Sequence, residues 1–141
     1  MATMQAKSAQ DPRASPPTGG SIGVMAVHFT TQVLDSALGQ PAEGLSLSLY
    51  RVDVSDGGPQ LLQSAVINSR GGTDKPLLSG ELIEPGVYVI EFEIGEYFEK
   101  SLGESPFLGT VPVMFKVTNP GADFHLPILC SPYAYSVQRG V

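Results

Sequence analysis

Val24-Met-Ala-Val-His-Phe-Thr-Thr-Gln-Val-Leu-Asp35 decides the fold class. Met25, Val27, Phe29, Thr31 and Val33 fall on one side of a period-two repeat, and Ala26, His28, Thr30 and Gln32 on the other. That period marks a β-strand with one face in a core and one toward water. The same rhythm recurs along the chain. Leu45, Leu47 and Leu49 alternate with Ser46, Ser48 and Tyr50, and Leu61 to Ile67 forms a further strand candidate. Tyr88, Ile90, Phe92 and Ile94 alternate with Val89, Glu91 and Glu93. Val111 to Val117 and Phe124 to Cys130 follow, and Tyr135 to Arg139 makes a last short strand.

Turn signals separate these runs: Gly39-Gln-Pro, Asp56-Gly-Gly-Pro, Asn68-Ser-Arg-Gly-Gly72, Glu84-Pro-Gly and Asn119-Pro-Gly. Many short strands at regular spacing predict an all-β antiparallel sandwich. Helical signal is confined to Gly95-Glu-Tyr-Phe-Glu-Lys-Ser-Leu102, ended by Gly103. Pro112 and Pro127 fall inside strand patterns, which predicts sheet edges or irregular pairing at both. Residues 1–22, rich in Ala, Ser, Pro, Gly and Gln, read as a disordered tail ahead of one domain over 23–141.

The chain has 141 residues, which fits one domain. Its net charge of −6, with no basic cluster, argues against nucleic acid as a partner. No apolar run approaches the ~20 residues of a membrane span, and the start lacks the apolar segment of a secretory signal. The expected compartment is the cytoplasm, with the peroxisome as the alternative, although Arg-Gly-Val is not the tripeptide of peroxisomal proteins. A single cysteine, Cys130, excludes an internal disulfide and reads as a buried, inert thiol. Two histidines with no ligand spacing argue against a metal site, and no cofactor is expected.

Two end segments carry a family resemblance. Phe29-Thr-Thr-Gln-Val-Leu-Asp35 with Ser-Ala-Leu-Gly-Gln-Pro-Ala-Glu-Gly44 stands near the start, and Phe124-His-Leu-Pro-Ile-Leu-Cys-Ser-Pro-Tyr-Ala-Tyr-Ser-Val-Gln-Arg-Gly-Val141 closes the chain. With Pro76-Leu-Leu, Pro85-Gly-Val-Tyr and Glu96-Tyr-Phe between them, they resemble the transthyretin-like family, whose enzymes are 5-hydroxyisourate hydrolases. The resemblance implies an eight-stranded sandwich with one short helix, assembled as a homotetramer around a channel. The sites would lie in that channel, on the outer faces of the first strand and the last two.

The resemblance also marks departures. Hydrolase members carry His where this chain has Gln32, and Arg where it has Gly72, with Arg70 two residues earlier. They end in Tyr-Arg-Gly-Ser, where this chain ends in Gln138-Arg139-Gly140-Val141. His125 and Arg139 are kept, and are the expected catalytic pair; Gln32, Thr30, Arg70, Ser136 and Val141 are the expected substrate-binding set. The chain reads as a divergent member.

Opening a cyclic amide needs a base for water and a donor for the carbonyl oxygen. Imidazole suits the first task near neutral pH. Gln32 can orient water or bind a carbonyl but cannot act as the base. Arg139 suits either a clamp on an anionic oxygen or an ion pair at a subunit interface. His28, four residues from Gln32 and so ~13 Å away along the strand, reads as a solvated or interface histidine rather than a replacement for the missing imidazole. Three functions fit: hydrolysis of 5-hydroxyisourate, ring opening, isomerisation or cyclisation of another small heterocycle, and non-catalytic small-molecule binding of the transthyretin type.

Overall fold

A computed structural model of the protein describes residues 27–53, 57–80 and 83–140. The expected tail, and Val141 with it, lie outside the described residues. Nine strands and one helix follow in chain order: β1 Val27–Asp35, β2 Gln40–Pro41, β3 Ser46–Arg51, β4 Gln60–Val66, β5 Leu78–Gly80, β6 Gly86–Glu93, α1 Ile94–Leu102, β7 Thr110–Val117, β8 Phe124–Cys130 and β9 Tyr135–Val137. The all-β sandwich expected from sequence is the fold. Its eight principal strands are β1 and β3 to β9, and the two-residue β2 is an addition.

One sheet runs β2-β1-β8-β9, with β5 also paired to β1; the other runs β4-β3-β6-β7. Every pair is antiparallel except β1 with β8, which are parallel with Thr30 beside His125 and Gln32 beside Pro127. That parallel pair is the one exception to the antiparallel pattern among the described strands. Two distant segments of chain are thereby brought into direct register.

Alternation explains the packing. On β1, Val27, Phe29, Thr31, Val33 and Asp35 are buried, while His28, Thr30, Gln32 and Leu34 face out. Phe29 meets Phe124 and Phe115 at ring-centroid distances of 5.1 and 5.3 Å, and Phe115 also stacks on Tyr88 at 5.9 Å. A fully buried apolar side chain such as Phe29 contributes about 1.5–3 kcal/mol relative to exposure. The one hydroxyl on the buried side, Thr31 Oγ1, donates 2.6 Å to the Leu126 carbonyl, so its burial carries no unpaired polar group.

Helix α1 buries Ile94, Tyr97 and Phe98, the i, i+3, i+4 stripe of an amphipathic helix. Gly103 ends it in the left-handed region at φ 91°, its N–H bonding the Glu99 carbonyl at 3.0 Å. Only one of the two prolines meets the expectation of an edge or irregular pairing. Pro112 lies on the edge strand β7. Pro127 lies on β8, an interior strand: Gln138 N–H donates to its carbonyl at 3.3 Å, but proline has no N–H to return, and β9 ends at Val137.

Candidate active site

The outer face of the β1–β8–β9 sheet collects the polar groups. Because β1 and β8 run in register, Thr30 sits beside His125, and Thr30 Oγ1 lies 2.8 Å from His125 Nδ1. On the other side of β8, Gly140 bridges to His125, its N–H bonding the His125 carbonyl at 2.8 Å. A Cβ at position 140 would stand 2.7 Å from His125 Cδ2. The half-buried imidazole therefore rests on the bare backbone of Gly140, with Thr30 holding Nδ1. No described residue bonds Nε2, so that nitrogen is the one left for a ligand.

Gln32 lies one diagonal step from His125, beside Pro127. The turn over residues 68–72 borders it: Val33 N–H bonds the Gly71 carbonyl at 2.8 Å, and a Cβ on Gly71 would stand 3.4 Å from Gln32 Cγ. Gly71 holds φ +91°, a conformation that favours glycine. The Asn68 side chain organises the turn by accepting from the N–H groups of Arg70 and Gly72. Arg70 itself is exposed. At Gly72, where hydrolases carry Arg, the nearest atom to an added Cβ is the Thr31 carbonyl oxygen at 3.6 Å, so a side chain has room there.

Arg139 is not part of this face. Val137 pairs with Ile128 on the core side, and Arg139 continues that side, its guanidinium 5.0 Å from the Phe124 ring centroid. It borders a cleft of about 450 Å³ between β7 and β9, lined by Val113, Phe115, Val117, Phe124 and Leu126. Within one chain, His125 and Arg139 stand on opposite faces of their sheet. Ser136 is on the outer face but pairs with Leu129, four residues from His125, or ~13 Å along the strand. Gln138, opposite Pro127, is nearer to the imidazole.

His28 lies on the same outer face, two residues from Thr30 on β1. Its ring bonds through Nδ1 to Ser79 Oγ on β5 at 3.1 Å, and its backbone N–H bonds Asp123 Oδ1 at 2.9 Å. Strand parity placed His28 on this face; nothing in the sequence announced the three-residue β5 that carries Ser79. Cys130 is buried, and burial with the nearby Asp35 carboxylate pushes its thiol up to about 12, which leaves it inert at neutral pH. Among the described residues there is no cluster of three potential metal ligands, and no helix is long and apolar enough to cross a membrane.

A two-layer sandwich with one connecting helix, its β1 and β8 paired in parallel and a half-buried histidine on the outer sheet face, defines a transthyretin-like protein. The profile of the HIUase/Transthyretin family matches residues 29–140, and the chain belongs to that family. It is 40% identical over 115 residues to 5-hydroxyisourate hydrolase 2 of Rhizobium meliloti (strain 1021), covering 79% of this chain and 94% of that protein. It is 37% identical over 112 residues to the 5-hydroxyisourate hydrolase of Mus musculus, covering 79% and 93%.

Among solved structures, the Klebsiella pneumoniae 5-hydroxyisourate hydrolase superposes with a TM-score of 0.66 at 29% identity, covering 81% of this chain and 99% of that one. An (S)-allantoin synthase superposes with a TM-score of 0.75 at 34% identity, covering 84% of this chain; this chain spans 45% of that longer protein.

Proposed function

We propose that this protein is a ring-opening hydrolase of a small cyclic amide or ureide, with 5-hydroxyisourate as the first substrate to test and His125 as its general base. The carrying observation is the 2.8 Å contact between Thr30 Oγ1 and His125 Nδ1. When Nδ1–H donates to the Thr30 oxygen, Nε2 keeps its lone pair and faces the ligand side. Nε2 then takes a proton from water, and the hydroxide adds to a ring carbonyl. The tetrahedral adduct collapses with cleavage of the ring C–N bond, and a proton goes to the leaving nitrogen. Gln32 is the nearest family-marked position to His125 on β1, and its amide N–H serves the carbonyl oxygen that gains charge. Arg139, on the other face, has no part in this step within one subunit. Relatives named 5-hydroxyisourate hydrolases support the reaction class.

The reading carries an assembly as well: a homotetramer whose outer sheet faces enclose the site, checked by sedimentation, where a clean monomer would count against it. The test of activity is the ultraviolet decay of freshly generated 5-hydroxyisourate with wild-type protein and with His125→Ala. Acceleration by the wild type, lost in the variant, supports the reading. No acceleration removes that substrate.

A second reading has its own observation. Gln32 and Gly72 replace titratable family residues with an amide and a hydrogen atom, which suits non-catalytic binding of a small ligand. Under it, His125→Ala alters affinity and no product forms with either protein.

A further inference from the structure

The parallel register of β1 on β8 has a symmetry about Thr30. With Thr30 beside His125, positions 28 and 32 are both two residues from Thr30 and on the same face. Each is therefore one diagonal step from His125. Two residues along a strand and one strand across place each Cα ~8 Å from that of His125. Position 32 holds an amide; position 28 holds an imidazole.

The two histidines are mounted alike. His125 Nδ1 meets the Thr30 hydroxyl of the neighbouring strand at 2.8 Å, and His28 Nδ1 meets the Ser79 hydroxyl of the neighbouring strand at 3.1 Å. β5 and β8 flank β1 on opposite sides, since Phe29 pairs with Leu78 on one and Phe124 on the other. Hydroxyls thus occupy both Nδ1 atoms, and no described residue bonds either Nε2. A histidine that merely decorates the surface does not require a partner at the nitrogen that fixes its ring. The Asp123 carboxylate accepts the His28 backbone N–H.

We infer that His28 is a second catalytic imidazole, acting as general acid opposite the base His125, with Ser79 as its positioning residue and the substrate ring lying over Thr30. This rests on the hydrolytic reading above and deepens it. His125 Nε2 takes the proton of the attacking water. Protonated His28 gives its Nε2 proton to the ring nitrogen as the C–N bond breaks, and solvent resets both rings. Two separate imidazoles remove the need for one ring to reach both the water and the leaving nitrogen. The substrate ring then lies between Gln32 and His28, the two positions that flank Thr30 on β1.

Two measurements test it on the full chain. In the first, kcat and KM for 5-hydroxyisourate are followed against pH for wild type, His28→Gln, Ser79→Ala and Ser79→Thr. The expected result is a kcat loss of about 10²–10⁴-fold in His28→Gln, with one limb of the pH profile removed. Ser79→Ala should lower kcat with little change in KM, and Ser79→Thr should restore it. A His28→Gln protein with wild-type kcat and both limbs, while His125→Ala is dead, overturns the inference and leaves the hydrolytic reading standing.

The second measurement needs no turnover. Uric acid, a stable planar ureide, is titrated while the imidazole proton resonances are followed. Joint shifts of His28 and His125 support the pair. A shift at His125 alone overturns the inference only; shifts at neither count against the site as a whole.

Discussion

Tyr97 donates a 2.7 Å hydrogen bond to Asp35 Oδ2, joining the helix to the end of β1 across 62 positions of sequence. Asp35 is buried, and its other oxygen accepts the N–H groups of Ala37 and Leu38. The carboxylate thus shapes the β1–β2 turn with one oxygen and anchors α1 with the other. Tyr97→Phe leaves Oδ2 short of a donor inside the protein. The expected loss is about 1–3 kcal/mol, read as a lower urea midpoint. An unchanged midpoint would show that the contact contributes nothing.

Alkaline stability follows from two groups. Burial raises the Tyr97 phenol from 10.0 and the Cys130 thiol from 9.0, each to about 12. Between the ordinary and raised values the unfolded chain has lost protons that the folded protein keeps. Stability is therefore unaffected by these groups below pH 9 and falls as pH rises from 9 to 12. Cys130→Ala should flatten the part of that fall that starts near pH 9, seen in thermal midpoints measured against pH. A parallel curve for the variant would contradict the assignment.

Gly140→Ala should disable the site while sparing the fold. Its Cβ would meet His125 Cδ2 at 2.7 Å, and the imidazole must move off Gly140, disturbing its contact with Thr30. Turnover should drop at least tenfold, with circular dichroism unchanged. Wild-type turnover in the variant would show that the ring does not depend on the bare backbone beneath it.

Gln32→His with Gly72→Arg restores two family-marked side chains to positions that can hold them, since Gly72 has open space beyond the Thr31 carbonyl. Hydrolysis of 5-hydroxyisourate should rise in the double variant over wild type. No gain would mean that the present chain has moved its chemistry away from the 68–72 turn.

Gly95→Ala probes the seat of the helix. An added Cβ would stand 2.6 Å from the Leu108 carbonyl oxygen and 2.8 Å from Gly109 Cα, both backbone atoms that cannot step aside alone. Overpacking of this kind costs about 1–3 kcal/mol, measurable by chemical denaturation. A smaller loss would show that residues 108–109 shift to make room.

The alternation on β1, β3, β6 and β8 was legible because each buries one face and its apolar residues repeat every second position. The helix was legible from the short run before Gly103, which ends it. Strands β2 and β5 were not, because two or three residues cannot establish a period. The site was half legible. Thr30, Gln32, His28 and His125 were assigned to the correct face by parity alone, and the family resemblance singled out His125. For Arg139 the resemblance carried a role without a direction; its face was set only when Val137 paired with Ile128. His28 was set aside because its separation from Gln32 was counted along one strand. The relevant neighbour lay across a parallel pair joining residues 95 apart, a pairing that no local pattern reveals.

Proline at position 127 has a consequence beyond the missing bond. Gln138 and Gly140 each hold β8 through one donated hydrogen bond, and Gln138 receives none from Pro127. The seat of the imidazole is thus fastened at the chain's end by a thin seam, while the ring itself is rooted in the interior strand. Loosening that seam shifts the imidazole without disturbing the core, so a substitution near Gly140 can re-aim the ring at little cost to folding.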